Sequence, residues 1–527
     1  MRRYIRKLVA PISATSALLL LTMPYASAAS ADSVAAPTVL RGADFNCDFY
    51  ADLAIGVPNE DQAASNDGAV NVIYGSPAGL TASGNQVWSQ DSAGIAGGNE
   101  AGDVFGHVVA AGDFNGDWCS DLAIGVPLED QAGTNDGAVN VIYGSPSGLT
   151  AAGNQVWSQD SPGILGGNEA GDQFGQALAT GDLNGDGYAD LAVGVPNEDQ
   201  AGSDDGAVNV IYGSAGGLTA AGNQVWSQDS AGIVGGSEAG DQFGGSVAIG
   251  NFGAGGFDDL AIGVPYEDQA ATNDGAVNVI YGSAGGLTAA GNQVWSQDSA
   301  GIGGGSEAGD LFGVALAAGD FNRNGYVDLA IGVPDEDQSA ADDGAVNVIY
   351  SSAGGLTAAG NQVWSQDSAG IGGVREAADA FGLTLVAADL GGDSATDLAI
   401  GVPYEDQAAA NDGAVNVIYG SPSGLNQAGN QVWSQDSAGI GGGSEANDLF
   451  GDSLAAADFG KGGAKADLVI GVPLEDQAGV NDGAANVIYG AAGGLNQAGN
   501  QVWSQDSAGI GGGSEAGDAF GSSVAPS

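Results

Sequence analysis

Asp182-Leu-Asn184-Gly-Asp186-Gly-Tyr188-Ala-Asp190-Leu-Ala-Val-Gly-Val-Pro196 joins a hydrophilic loop directly to an apolar strand. The loop carries side-chain oxygens at its first, third, fifth and ninth positions. A hard cation such as calcium takes six to eight oxygen ligands, and a tight Gly-containing turn points alternate side chains inward to supply them. The closing acid comes at position nine and a strand follows it. The stretch therefore reads as a calcium loop set inside a β-hairpin.

The same stretch recurs with its first position at Asp44, Asp113, Asp182, Asn251, Asp320, Asp389 and Asp458, a constant step of 69 residues. Seven copies of a non-helical unit of this length predict a β-propeller with one blade per copy. Within the third copy, 174–181 reads as a small-residue inner strand. The run 191–195 is a continuous apolar strand of the kind buried on both faces, ended by Pro196. An acidic loop with an Asp205-Gly206 turn leads to the alternating, β-branched strand 207–213. Residues 216–222 read as a turn, 223–228 as the outer strand, and 229–241 as a Gly-rich crossover to the next copy. The fold class expected is all-β: a seven-bladed propeller of four-stranded antiparallel blades with calcium-binding hairpin loops.

Phe-Gly at the start of the unit (Phe174-Gly175), Gly-Val-Pro after the loop (with Val for the usual middle Ala) and the Asp-x-Asn-x-Asp-Gly-x-x-Asp loop between them resemble the FG-GAP repeat. The unit is similar to those of the integrin alpha-subunit head and of related secreted bacterial proteins. The resemblance covers residue 38 to the end. It implies calcium between the first two strands of a blade and ligand binding on the opposite face.

The copies are unequal as metal sites. Asp44, Asn46, Asp48 and Asp52 are kept in loop one, and Asp113, Asn115, Asp117 and Asp121 in loop two. Loop three keeps Asp182, Asn184, Asp186 and Asp190, and loop five keeps Asp320, Asn322, Asn324 and Asp328. These four are the expected strong Ca2+ sites. Loop six has Asp389, Asp393 and Asp397 but Gly391 at the third position, and is expected to bind weakly. Loops four and seven have lost their inner ligands. In loop seven, Lys461 or Lys465 is expected to neutralise Asp458 and Asp467 in place of an ion; two solvated lysines are the alternative. Cys47 and Cys119, the only cysteines, lie in the first two loops. In an exported protein they are expected to form a disulfide between blades one and two, with free buried thiols the alternative.

Residues 1–28 read as a secretory signal peptide: a basic head (Arg2, Arg3, Arg6, Lys7), an apolar run and Ala26-Ser27-Ala28. Residues 29–37 read as a linker and 38–527 as the propeller. The protein is expected to be secreted, or held in a periplasm or at the cell surface, with no membrane span and as a monomer. Its formal charge is −56, and four of its nine basic residues lie in the signal segment. That charge disfavours nucleic acid and anionic membrane surfaces and favours cationic groups. A blander consequence is solubility or adaptation to salt.

Blade one lacks its Phe-Gly, having Ala36-Pro37 at the aligned positions, and Phe520-Gly521 supplies one at the other end. Residues 520–525 are therefore expected to pair into blade one and close the ring. The competing arrangement uses 38–43 as blade one's own inner strand. On the face opposite the calcium loops, Glu60, Asp61, Asp67, Asp91, Glu100 and Asp103 and their repeats form a carboxylate ring. That ring either captures cations or simply accepts loop N–H groups. The outer-strand tryptophans 88, 157, 226, 295, 364, 433 and 503 either stack on sugars or pack between blades. His107 reads as a channel or core residue. No nucleophile elbow or zinc spacing is present. The expected function is a non-catalytic binding or cell-adhesion module for an extracellular or cell-surface protein or glycan. The alternatives are a hydrolase or polysaccharide lyase using the acidic face, or a propeller lectin.

Overall fold

The computed structural model describes residues 42–253, 255–338, 340–461 and 465–525. The signal peptide, the linker and most of the alternative strand 38–43 lie outside them. The described residues form twenty-eight strands in seven four-stranded antiparallel sheets, with no helix. This is the seven-bladed propeller that the 69-residue repeat predicts.

Each blade runs from an inner strand through two buried strands to a half-exposed outer one. In blade three these are Ala177–Gly181, Asp190–Val195, Ala207–Tyr212 and Thr219–Trp226. The second and third strands are buried along their whole length, which is why they read as unbroken apolar runs. The outer strand differs from expectation. It begins at Thr219, inside the predicted turn, because the register with the third strand shifts between Val210 and Tyr212. The extra residues are absorbed in a bulge beside Gly222, whose φ is 79°. The inner strand is shorter than expected. Phe174 precedes it, giving its amide to the Asp136 carbonyl of the preceding blade.

Those Phe-Gly phenylalanines join the blades. Phe105, Phe174, Phe243, Phe312, Phe381, Phe450 and Phe520 are all fully buried. Phe105, for example, packs with Val70 and Val72 of blade one and Ile124 of blade two. Tyr74 and Gln86 of blade one hold the next blade's Leu149 on both sides. Its amide reaches the Tyr74 hydroxyl at 3.3 Å, and its carbonyl accepts from Gln86 Nε2 at 3.0 Å. Trp88 packs against the same cluster, and Trp364, Trp433 and Trp503 are buried in theirs. The repeated tryptophans are packing residues between blades.

Blade one is built from both ends of the chain. Its strands are β1 (Leu53–Val57), β2 (Ala69–Tyr74) and β3 (Thr81–Trp88), and the inner place is taken by β28 (Ser523–Ala525). Ala54 pairs with Ala525 and Gly56 with Ser523. One step further along, the Asp52 amide meets the Ala43 carbonyl at 2.5 Å. The inner strand and the loop that follows it thus come from opposite ends.

Cys47 and Cys119 are joined, with Cα atoms 5.0 Å apart. They occupy loop positions four and seven of neighbouring blades. In the next blade pair those positions are Gly116 and Tyr188, and a Cβ on Gly116 would collide with the Tyr188 ring. The disulfide replaces a ring-on-glycine contact and anchors the one loop that does not continue from its own inner strand. It closes 72 residues, for which chain entropy gives about 4 kcal/mol as an upper figure. The Cys47→Ala, Cys119→Ala variant is expected to lose about 2–4 kcal/mol in denaturant unfolding.

Candidate metal loops and the acidic face

In loop one the Asp44 carboxylate accepts the amides of Asp48 (3.0 Å) and Phe49 (2.8 Å), and Asn46 Oδ1 also accepts from Asp48 (3.0 Å). Asp48 in turn accepts the Tyr50 amide at 3.0 Å. The same pattern repeats at Asp113, Asn115 and Asp117, at Asp182, Asn184 and Asp186, and at Asp320, Asn322 and Asn324. Each loop is wound around its own first, third and fifth side chains, which fixes their oxygens on one small turn. Loop six keeps the contacts of Asp389 and Asp393, but Gly391 gives its amide to Asp397 instead of supplying an oxygen.

The ninth-position acid is a structural joint, a role that its spacing does not reveal. Asp52 accepts the Phe45 amide at 2.8 Å and the Gly75 amide at 2.9 Å, tying the loop to the end of β2. Asp259 and Asp467 do the same in blades four and seven, which have lost the inner ligands. Burial, with Asp44 and Asp48 nearby, pushes the Asp52 carboxyl up to about 8. Burial likewise pushes Asp121 up to about 8 and Asp190 and Asp328 to about 7. Three hard oxygen donors and a buried acid with unbalanced negative charge fit a divalent cation.

The lysines of loop seven do not do what the sequence suggested. Lys461 Nζ bonds the Gly499 carbonyl at 2.6 Å and lies 4.7 Å from the centre of the Tyr489 ring. Lys465 lays its methylenes against Gly392. Among the described residues the ion pairs are those of Arg375, with Asp343 and Asp367. Lys461 is only the smallest of the influences that lower Asp467. A ring face and a carbonyl oxygen hold this ammonium without desolvating an acid beside it.

On the other face the carboxylates divide into three roles. Asp67 accepts the amides of Gln62, Ala63 and Ala64 and the Asn99 amide group, and these hold its carboxyl below the usual range although burial opposes them. Glu129 receives Gln90 Nε2 from the preceding blade at 2.5 Å, and Gln505 reaches Glu60 in the same way across the closure. The Gln of each Trp-Ser-Gln is thus a strap between blades. Asp103 accepts the Glu100 amide at 2.6 Å.

What the sequence did not show is that these roles converge. Glu100, Asp103 and Glu129 bring one carboxylate oxygen each within 4.8 Å of one another, and so do Glu169, Asp172 and Glu198, and Glu60, Glu515 and Asp518. Each triad spans two blades. Burial, then the neighbouring acids, pushes Asp103 up to about 7. The unfolded chain has no such penalty. Asp103 therefore binds its proton more tightly when folded, and its contribution to stability is lost as pH rises from about 4 to about 7. Asp103→Asn keeps an acceptor for the Glu100 amide and removes the charge. It is expected to raise Tm at pH 8 and to match the parent at pH 4 in a differential scanning experiment.

His107, half-buried, lines one mouth of the central channel with Gln176, Asp452 and Ser522, each one residue before an inner strand, in a cavity of about 340 Å3. Burial lowers its pKa, which favours the uncharged imidazole.

The FG-GAP repeat model matches residues 105–142, 174–211, 312–349 and 381–418. Those are blades two, three, five and six. The unmatched blades are one, which takes its inner strand from the far terminus, and four and seven, whose loops have lost ligands. Integrin alpha-3 of Cricetulus griseus is 32% identical over 202 residues, 37% of this chain and 18% of that protein. Integrin alpha-PS2 of Drosophila melanogaster is 29% identical over 240 residues, 44% of this chain and 15% of that protein. Phosphatidylinositol-glycan-specific phospholipase D of Bos taurus is 33% identical over 176 residues, 33% of this chain and 20% of that protein. The chain thus spans a fifth or less of the length of these relatives. A solved structure, the Dos1 propeller, aligns over 83% of this chain and 78% of its own at 13% identity with a TM-score of 0.37, too loose a likeness to argue from. The repeat matches, the integrin alpha similarities and the seven antiparallel blades agree: this chain carries FG-GAP repeats in a propeller similar to that of integrin alpha subunits.

Proposed function

We propose that the chain is an extracellular, calcium-stabilised binding module whose acidic face engages a protein or glycan carrying cationic groups. The observation that carries this reading is the pairing of two features on one ring. Loops one, two, three and five keep the full oxygen set, with a weaker set in loop six, and the opposite face is studded with inter-blade carboxylate triads. The triads are stability spent on charge: Asp103 and its repeats are buried acids crowded by others, which a cationic ligand group would relieve. The similarity to integrin alpha subunits supports an extracellular protein ligand.

The similarity to the phospholipase supports a second reading, in which such a propeller accompanies or performs hydrolysis. A pull-down of cell-surface components with and without chelator, run beside a hydrolase and polysaccharide-lyase activity screen, separates the two. Capture that chelator abolishes, with no turnover, is the expected result. Turnover by the isolated chain would reverse the choice.

A further inference from the structure

The position after each Phe-Gly departs from the repeat. Taken round the ring from blade seven, it holds Asp452, Ser522, His107, Gln176, Gly245, Val314 and Leu383. Seven copies that are otherwise near-identical carry seven different residues there. These residues stand at the entry to the inner strands, and all but Val314 line the channel mouth, the cavity of about 340 Å3. Residues that pack between blades repeat from copy to copy, as the seven buried phenylalanines do. A position that never repeats is not chosen by that packing.

The seven residues sort into two arcs. Blades seven, one, two and three follow one another round the ring, and they supply a polar arc of Asp452, Ser522, His107 and Gln176. Blades four, five and six bring Gly245, Val314 and Leu383, with no polar side chain. Ser522 Oγ donates to the Ala519 carbonyl at 2.8 Å and keeps its lone pairs. Burial is the one influence on the acidity of Asp452 and of His107, with no hydrogen bond or charged neighbour to offset it. A half-buried carboxylate left in that state costs stability. Behind the mouth, Val109, Leu178, Leu385, Leu454 and Val524 line both this cavity and a second one of about 410 Å3. Inner strands of mostly five residues give an apolar channel up to about 16 Å long.

We propose that this mouth and channel bind a primary alkylammonium, with its head on the polar arc and its chain running down between the leucines and valines. An ammonium carries a positive charge and three N–H donors. Asp452 supplies the countercharge. The Ser522 hydroxyl, the unprotonated nitrogen of His107 and the Gln176 carbonyl oxygen are the other acceptors on the arc. The apolar walls take the methylenes. Other head groups fit worse. A carboxylate or phosphate would meet Asp452 in a chain of formal charge −56. A divalent cation would find one carboxylate in the lining where it needs several hard oxygens. The site is separate from the carboxylate triads, which recur from one blade junction to another, and it takes one ligand per chain.

The test is isothermal titration of the intact protein with octylammonium, octanoate, 1-octanol and methylammonium at pH 8, where Asp452, pushed up to about 6 by burial, is ionised. Octylammonium is expected to bind once per chain, at least tenfold more tightly than octanoate or methylammonium. Its affinity is expected to rise about fourfold per methylene from butyl to octyl. Asp452→Asn keeps the side chain's size and removes an unpaired charge, so it is expected to melt no lower than the parent. It is expected to lose at least tenfold in octylammonium affinity and to leave 1-octanol binding unchanged. Leu178→Trp, which fills the channel, is expected to weaken both. No binding of octylammonium, equal binding of octanoate, indifference to chain length or full affinity in Asp452→Asn would overturn the proposal. So would several ammonium ions per chain, a result that would put the amine on the triads and leave the proposed function standing.

Discussion

Adding 10 mM calcium to chelator-stripped protein is expected to raise its melting temperature by about 6–11 °C. Sites on extracellular modules bind with Kd of roughly 10⁻⁴ to 10⁻³ M. At that concentration each contributes about 1.4–2.7 kcal/mol by mass action, and loops one, two, three and five together contribute about 6–11 kcal/mol. A propeller of this length has an unfolding entropy of about 1 kcal/mol per kelvin, which converts the sum to the shift stated. The shift is expected to shrink by about a quarter when Asp113→Ala, Asp117→Ala removes the set in loop two. In loop seven, Asp458→Ala is expected to leave the calcium response unchanged, because that loop has no inner ligands to lose. Calorimetric melting of each variant in calcium and in chelator is the check.

The second large effect concerns the ring closure. Deleting 518–527 is expected to lower the melting temperature by several degrees and to produce oligomers. The deletion removes Phe520, fully buried against Phe459 and Val57, and the antiparallel partner of β1. Losing a buried phenylalanine alone costs about 3–5 kcal/mol. The exposed edge of β1 would then be free to recruit another chain. Phe520→Ala, which keeps the strand pairing, is expected to show the thermal loss without the oligomers. Scanning calorimetry and sedimentation velocity on the two variants separate packing from pairing. An unchanged melting temperature in the deletion would mean that β28 contributes nothing to the ring.

The propeller was legible because two signals coincide in every copy. The step of 69 residues counts the blades, and the unbroken apolar second strand marks burial on both faces. The stretch 216–222 reads as a turn, yet the outer strand starts within it at Thr219, because the positive φ of Gly222 makes a bulge and lets the strand continue. The metal-type loops are legible in the sequence as side-chain oxygens gathered on one turn, but not as structural joints. Asp259 and Asp467 hold their hairpins without the inner ligands, and only the hydrogen bonds to Gly282 and Gly490 reveal it. The acidic triads were out of reach for another reason. Glu100 and Glu129 are on different blades, and no local pattern in the chain says that their oxygens meet. Lys461 misled because the sequence shows acids nearby and hides the Tyr489 ring on which the ammonium rests.

The central claim is that divalent cations clip together the hairpins of a strongly acidic ring. Crystals of the protein grown in calcium test it most directly, through anomalous difference density. Strong peaks are expected in loops 44–52, 113–121, 182–190 and 320–328, a weaker one in 389–397, and none in 251–259 or 458–467. Empty loops at the first four sites in well-diffracting crystals would contradict it.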